Sequence, residues 1–353
     1  MEDLTKKRFD IIDGGLVCVL FVALQYVFYF IISMAPWLIS DTISYIVMSV
    51  VLEGLFVVAV VTVAASRRKA VVPATTMNKK VNWAMVGMCA LVSVVCIVLF
   101  SDLSNAFAYT LEAIGYRSTS EIVSLGGVFG YLINIVTVCA VPALCEELMF
   151  RGVVLNSFRG YNKWIGISVS AVAFMLMHGN PEQTIHQLLL GFVLGYIVWE
   201  TRNIWASILI HFFNNFFAIT LSFIMSLVRQ NSGEGSGTPE TITSGQIAMA
   251  WIMGIGLAII GIIVVWWITK YLKKQSQKTN GEAQPFQEVS TIEIDGEKTE
   301  VEAVVSEGGK PAEAVGEEKQ NPTPAGKYLT IVSYICFAAY FVYEWVRTLI
   351  YHL

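Results

Sequence analysis

Charge is scarce in this chain. Of its 353 residues only 14% are Asp, Glu, Lys or Arg, against roughly 25% in an ordinary soluble domain. A soluble fold of this length needs a charged surface, so the shortage points to lipid as the solvent. A hydrophobic content of 55% and a mean hydropathy of +0.62 agree. Basic excess is missing too: the formal net charge is −4, which argues against a nucleic-acid binder. The six cysteines, Cys18, Cys89, Cys96, Cys139, Cys145 and Cys336, all fall in apolar runs and form no CxxC pair. They read as small buried hydrophobes, which speaks against a thiolate metal site or a disulfide framework. There is no HExxH string and no internal repeat.

Long apolar runs are what the chain does have. A hydrocarbon core of ~30 Å needs about 20 apolar residues in a helix. Residues 14–40, 81–101, 203–228 and 247–269 are long enough and carry no Asp, Glu, Lys or Arg. The run 42–66 carries one acid, Glu53, and the run 122–145 ends on a pair of acids. A last run starts at 328. Lys6, Lys7 and Arg8 precede an apolar stretch too long for a signal peptide, with no clean small-residue cleavage site after it. That stretch reads as the first span. The expectation is an all-α, polytopic transmembrane bundle of about eight or nine spans with a buried polar active site. Four parts follow: two helices in 1–80, a core in 81–274, an acidic cytoplasmic linker in 275–327 and a final helix in 328–353.

The loop with Arg67, Arg68, Lys69, Lys79 and Lys80 holds no acid. By the positive-inside rule it is cytoplasmic, and so is the N-terminus two spans earlier. The third helix is expected to leave the membrane near Asp102, with 102–122 lying at the interface. Arg159 and Lys163 mark a second cytoplasmic turn, and 230–245 an external loop. In the linker, 289–305 alternates apolar and polar residues as a small hairpin would, but its composition favours disorder. Short loops and the absence of a targeting extension fit a bacterial plasma membrane.

Ionisable groups inside a span are costly, and each is a functional candidate. The densest cluster is Cys145-Glu146-Glu147-Leu148-Met149-Phe150-Arg151. Glu147 and Arg151 are four apart and share a helix face; Glu146 is turned about 100° away. A helix cap is the plain alternative. His178 ends the string Phe174-Met175-Leu176-Met177-His178, and His211 and Asn215 lie four apart in a later apolar run. Interhelical hydrogen bonding is the plain reading of that pair. Measured from the turn near Gly160, Glu146 and His178 reach similar depth at 1.5 Å per residue, and an offset brings His211 level. Glu182 and His186, also four apart, lie at a helix start and read as structural.

A carboxylate, two imidazoles and an amide are the parts for hydrolysis. The carboxylate is a general base to water, and an imidazole with an Asn amide stabilises an oxyanion. Alternatively Glu146, His178 and His211 ligate zinc and leave a position open for water.

The strings EExxxR at Glu146-Glu147-Arg151, FxxxH at Phe174-His178 and HxxxN at His211-Asn215 resemble, in order and spacing, the three motifs of the CPBP intramembrane proteases. That family, also called Abi, includes the CAAX prenyl endopeptidases. The resemblance covers roughly 80–270. It implies Glu146 and His178 as the water-activating pair and Glu147 and Arg151 as its orienting pair. It implies His211 and Asn215 as the oxyanion site, with His211 a ligand if a metal is bound. The implied partner is a peptide or protein at the membrane, prenylated or not. Two alternatives stay open: a non-catalytic membrane factor for bacteriocin immunity or partner binding, and a transporter, which would predict inverted repeats. A further expectation is that the core remains active without 275–353.

Overall fold

The structure is a computed structural model that describes residues 8–117, 127–232, 243–281, 287–294, 297–304 and 324–352. Nine helices of 15 residues or more order the described residues. They are α1 Ile11–Met34, α2 Thr42–Ser66, α3 Trp83–Ala113, α4 Gly127–Leu155, α5 Lys163–Met177, α6 Thr184–Thr201, α7 Ile204–Ser232, α8 Ser244–Asn280 and α9 Pro324–Tyr351. Seven of them, all but α5 and α6, are long and apolar enough to cross a bilayer. The expected polytopic helical bundle is borne out, with seven such spans rather than eight or nine.

Three boundaries differ from expectation. The third helix does not stop near Asp102; it runs through the polar stretch to Ala113, where Ser104 and Thr110 pair their hydroxyls with carbonyls four residues earlier and so leave neither hydroxyl bare. The stretch 118–126 lies outside the described residues, as does most of the expected external loop. Helix α8 continues to Asn280, six residues into the expected linker. Asn280 caps the neighbouring loop there, its Oδ1 accepting from the Lys80 N–H at 2.7 Å. Within the linker, strands β1 Gln287–Ile294 and β2 Glu297–Val304 form an antiparallel hairpin, with Gln287 opposite Val304. Of the two readings of that alternating stretch, the hairpin is the one present; 282–286 and 305–323 lie outside the described residues.

Capping sets the first helix. The Asp10 side chain accepts from the N–H groups of Ile12 and Asp13, and the Asp13 side chain takes the Asp10 N–H in return, which satisfies donors the helix leaves free. Asp13 is fully buried and bonded by Arg67 Nε at 2.7 Å. One acid thus closes the α1 start onto the α2 end.

Two apolar cores follow. One gathers α1, α2, α4, α5 and α9 around Phe21, Phe56, Phe150 and Phe174; the Phe21 and Phe56 rings stack at 4.0 Å. The other gathers α3, α6, α7 and α8. Helix α8 lies against α3 at a glycine: a Cβ on Gly254 would sit 2.6 Å from the Leu103 backbone. Small residues at such contacts let membrane helices approach closely. Helix α9 is no appendage. Phe337 and Phe341 are buried in the first core, Tyr334 Oη lies 3.5 Å from Ser157 Oγ, and Trp345 Nε1 donates to Thr184 Oγ1 at 2.8 Å. A boundary at 328 therefore separates in sequence what the fold packs together.

Candidate active site

Helix α4 holds the acidic motif, and its backbone is unusual. Two π turns, Ile135–Ala140 and Leu148–Leu155, flank the α-helical piece Val141–Glu147. Such bulges often mark functional sites. The first has a cause in the sequence. Pro142 lacks an N–H, so the carbonyl four residues earlier, that of Val138, loses its helical donor. Asn215 of α7 supplies a replacement, its Nδ2 donating to Val138 O at 3.0 Å.

The second π turn carries Arg151. Its Nη1 donates to Glu147 Oε1 at 2.7 Å, and its Nη2 to the Gly191 carbonyl of α6 at 3.2 Å. Both side chains of the pair are 0% exposed. The guanidinium lies over the Phe174 ring with Cζ 4.4 Å from the centroid, where the ring's negative face attracts a cation. Gly191 makes the contact possible: a Cβ there would sit 3.0 Å from the Ala171 Cα of α5.

Glu147 Oε1 has a second partner, His211 Nδ1 of α7, at 3.2 Å. With a carboxylate on Nδ1, that nitrogen carries the hydrogen, and Nε2 faces the other way. There it meets Glu146 Oε2 at 4.0 Å. Glu146 and His211 are both nearly closed off, 5% and 3% exposed, and Glu146 Oε2 is buried with no hydrogen-bond partner. Ser93 of α3 holds this turn of α7 by donating to the Ile210 carbonyl at 2.8 Å.

His178 stands where α5 stops. Gly179 takes φ +57°, and Asn180-Pro181 follows, so the helix ends after 15 residues. At 1.5 Å per residue that is about 22 Å, short of the ~30 Å hydrocarbon core. The early stop leaves His178 half-buried at the helix end. A hydrogen bond joins its Nδ1 and the Phe174 carbonyl, 2.9 Å apart; the carbonyl must accept, so Nε2 is left unprotonated in the neutral ring. Phe174 meets the His178 ring edge-on at 4.9 Å and the His211 ring at 5.6 Å. One buried phenyl thus spaces both imidazoles and the guanidinium.

The structure brings Glu146, Glu147, Arg151 and His211 into direct contact and links His178 to them through Phe174. Asn215 lies on the same helix as His211, with one N–H of its amide on the Val138 carbonyl. Two residues that reading the chain set aside or passed over belong nearby. Asn214 Nδ2 lies 3.3 Å from His186 Nε2, joining α7 to the start of α6, and Asn214 is 4% exposed. His186, read as structural beside Glu182, thus reaches the motif-bearing face of α7. The adjacent Asn-Asn pair hid Asn214, since only one of two neighbours can follow the four-residue spacing.

Zinc needs three side chains converging on one point. Among the described residues no three His, Cys, Asp or Glu side chains form such a group, so Glu146, His178 and His211 do not fit a metal as placed.

Residues 127–217 match the family model described as type II CAAX prenyl endopeptidase Rce1-like. The matched segment contains all three motifs. No curated protein and no solved structure matches the chain. The fold is that of a multi-pass integral membrane protein, and its segment 127–217 is similar to the CAAX prenyl endopeptidases of that family model. The match supports the resemblance to the CPBP proteases that the motifs carry.

Proposed function

We infer that the chain is an intramembrane endopeptidase that hydrolyses a peptide bond in a membrane-associated, CAAX-like substrate. One observation carries the reading. Glu147 is held through Oε1 by both Arg151 and His211, its Oε2 alone being unpartnered, while Glu146 Oε2 is buried without a hydrogen bond 4.0 Å from His211 Nε2. The two acids are thus divided in role: Glu147 orients, and Glu146 faces the reacting atoms. As general base, Glu146 takes a proton from water. The water oxygen adds to the scissile carbonyl carbon, and the proton passes to the leaving amine as the C–N bond breaks. His178 lines the water site beside Glu146, and His211, once Nε2 holds a proton, donates to the tetrahedral oxygen together with the second amide N–H of Asn215. Asn215 positions α7 against α4. The basic loop between Arg67 and Lys80 keeps the N-terminus cytoplasmic.

The test is cleavage by the purified protein in detergent, wild type beside Glu146→Gln, on peptides with and without a prenylated cysteine. We expect cleavage by the wild type and a loss of at least a hundredfold in the variant. Equal cleavage by both would remove Glu146 as base. No cleavage of any peptide, together with saturable binding of one, would favour a non-catalytic binding role.

A further inference from the structure

Glu53 is the single Asp, Glu, Lys or Arg residue in the 25 residues of α2. An acid in such a helix is expensive unless something engages it, yet its Oε2 is buried with no hydrogen-bond partner. Helix α2 packs on the Val141–Glu147 piece of α4. One turn beyond Glu53, Phe56 meets Phe150, one turn beyond Glu146, with ring centroids 6.0 Å apart. The Glu53 carboxyl acts electrostatically on both Cys145 and Glu146. The two helices therefore run in the same direction here, with Glu53 level with Glu146. Glu146 presents an oxygen in the same condition, Oε2, buried and unpartnered. Two buried acceptors on two packed helices thus lack a donor. A single water has two O–H groups and answers both.

We propose that Glu53 is a positioning residue that holds the attacking water together with Glu146, each carboxyl accepting one of its O–H bonds. The inference rests on the hydrolytic reading above. With both hydrogens engaged, the water oxygen's lone pairs turn toward the substrate carbonyl. On attack the oxygen–carbon bond forms, and the proton held by Glu146 leaves the water for that carboxylate. The hydrogen held by Glu53 stays on the oxygen. The Glu146 proton then goes to the leaving amine as the C–N bond breaks.

The experiment compares full-length wild type, Glu53→Leu and Glu53→Gln in detergent, reading kcat, KM and the thermal midpoint. Glu53→Leu is expected to lower kcat at least tenfold with KM unchanged and without a fall in the midpoint, since it removes a lone acid from an apolar helix. Glu53→Gln keeps an acceptor oxygen and is expected to restore most of the kcat. Wild-type kcat in Glu53→Leu would overturn the proposal while leaving the role of Glu146 intact; Glu53→Ala serves if the leucine variant does not fold. Should the wild type cleave no peptide, the hydrolytic reading fails, and stability decides this one. The midpoint shifts of Glu53→Leu, Glu146→Leu and the double variant are expected to be non-additive, as for groups that share a partner; additive shifts would refute a shared water.

Discussion

Arg151 shows how one side chain settles several problems at once. A guanidinium fully closed off from solvent is costly unless its donors are used. Here it bonds Glu147, bonds the Gly191 carbonyl and lies over Phe174. Removing it strands Glu147 as a buried carboxylate. Arg151→Ala should cost about 3–5 kcal/mol of stability and abolish cleavage, both readable by thermal unfolding and a peptide assay on the same preparation. Arg151→Lys should rescue little, because an ammonium lacks the planar fork that reaches Glu147 and Gly191 together. A lysine variant as stable as wild type would mean that charge alone matters here. At this scale the sequence was informative: the four-residue spacing of Glu147 and Arg151 is itself the ion pair. The second use of Glu147 Oε1, by His211, depends on a residue 64 positions away in the chain and has no local signature.

At the scale of an element, α4 is the part least like its expectation. Its apolar run reads as one span; the structure instead holds two π turns around a short α-helical piece. The missing N–H of Pro142 and the amide of Asn215 are two halves of one arrangement at the Val138 carbonyl. This makes a testable pair. Asn215→Leu leaves that carbonyl without a donor and should cost about 1–3 kcal/mol. Pro142→Ala restores a backbone N–H that competes for the carbonyl, so the double variant should be more stable than Asn215→Leu alone. A double-mutant cycle of unfolding free energies checks this. Independent effects would show that the Asn215 contact does not compensate for the proline. Helix α5 teaches the same lesson from the other side. The Gly-Asn-Pro break was visible in the chain, and it is why His178 sits at a helix end, short of the full bilayer thickness.

For the whole molecule, α9 is the clearest difference between chain order and space. It follows an acidic stretch, and read along the chain it falls outside the motif-bearing region. In the fold, Phe337 and Phe341 complete the aromatic core that also holds Phe150 of the acidic motif, and Trp345 bonds Thr184 at the start of α6. Removing residues 324–353 should therefore lower the thermal midpoint and reduce cleavage at least tenfold, contrary to the basal activity expected of a core without 275–353. Excising 287–304 should leave both near wild type. The two truncations, assayed side by side in detergent, separate a structural helix from a dispensable hairpin; full activity without α9 would show that the first core tolerates its loss.

Composition alone determined that this chain lives in lipid. So few charges over so many residues leave no surface for water, and apolar length sets where helices cross, because a bilayer has a fixed thickness. Periodicity also determined which motif residues share a helix face, since four residues return nearly a full turn. What local spacing cannot encode is which helices touch. The tertiary structure alone decided that Glu147 rather than Glu146 takes His211, and that Asn215 faces a carbonyl. It also decided that His186 and Asn214 meet, and that a lone acid in α2 stands level with Glu146. Each of these depends on close approach between helices, governed by glycines such as Gly191 and Gly254 and by the aromatic rings packed between them. That approach is a property of the assembled bundle, and no single stretch of the chain contains it.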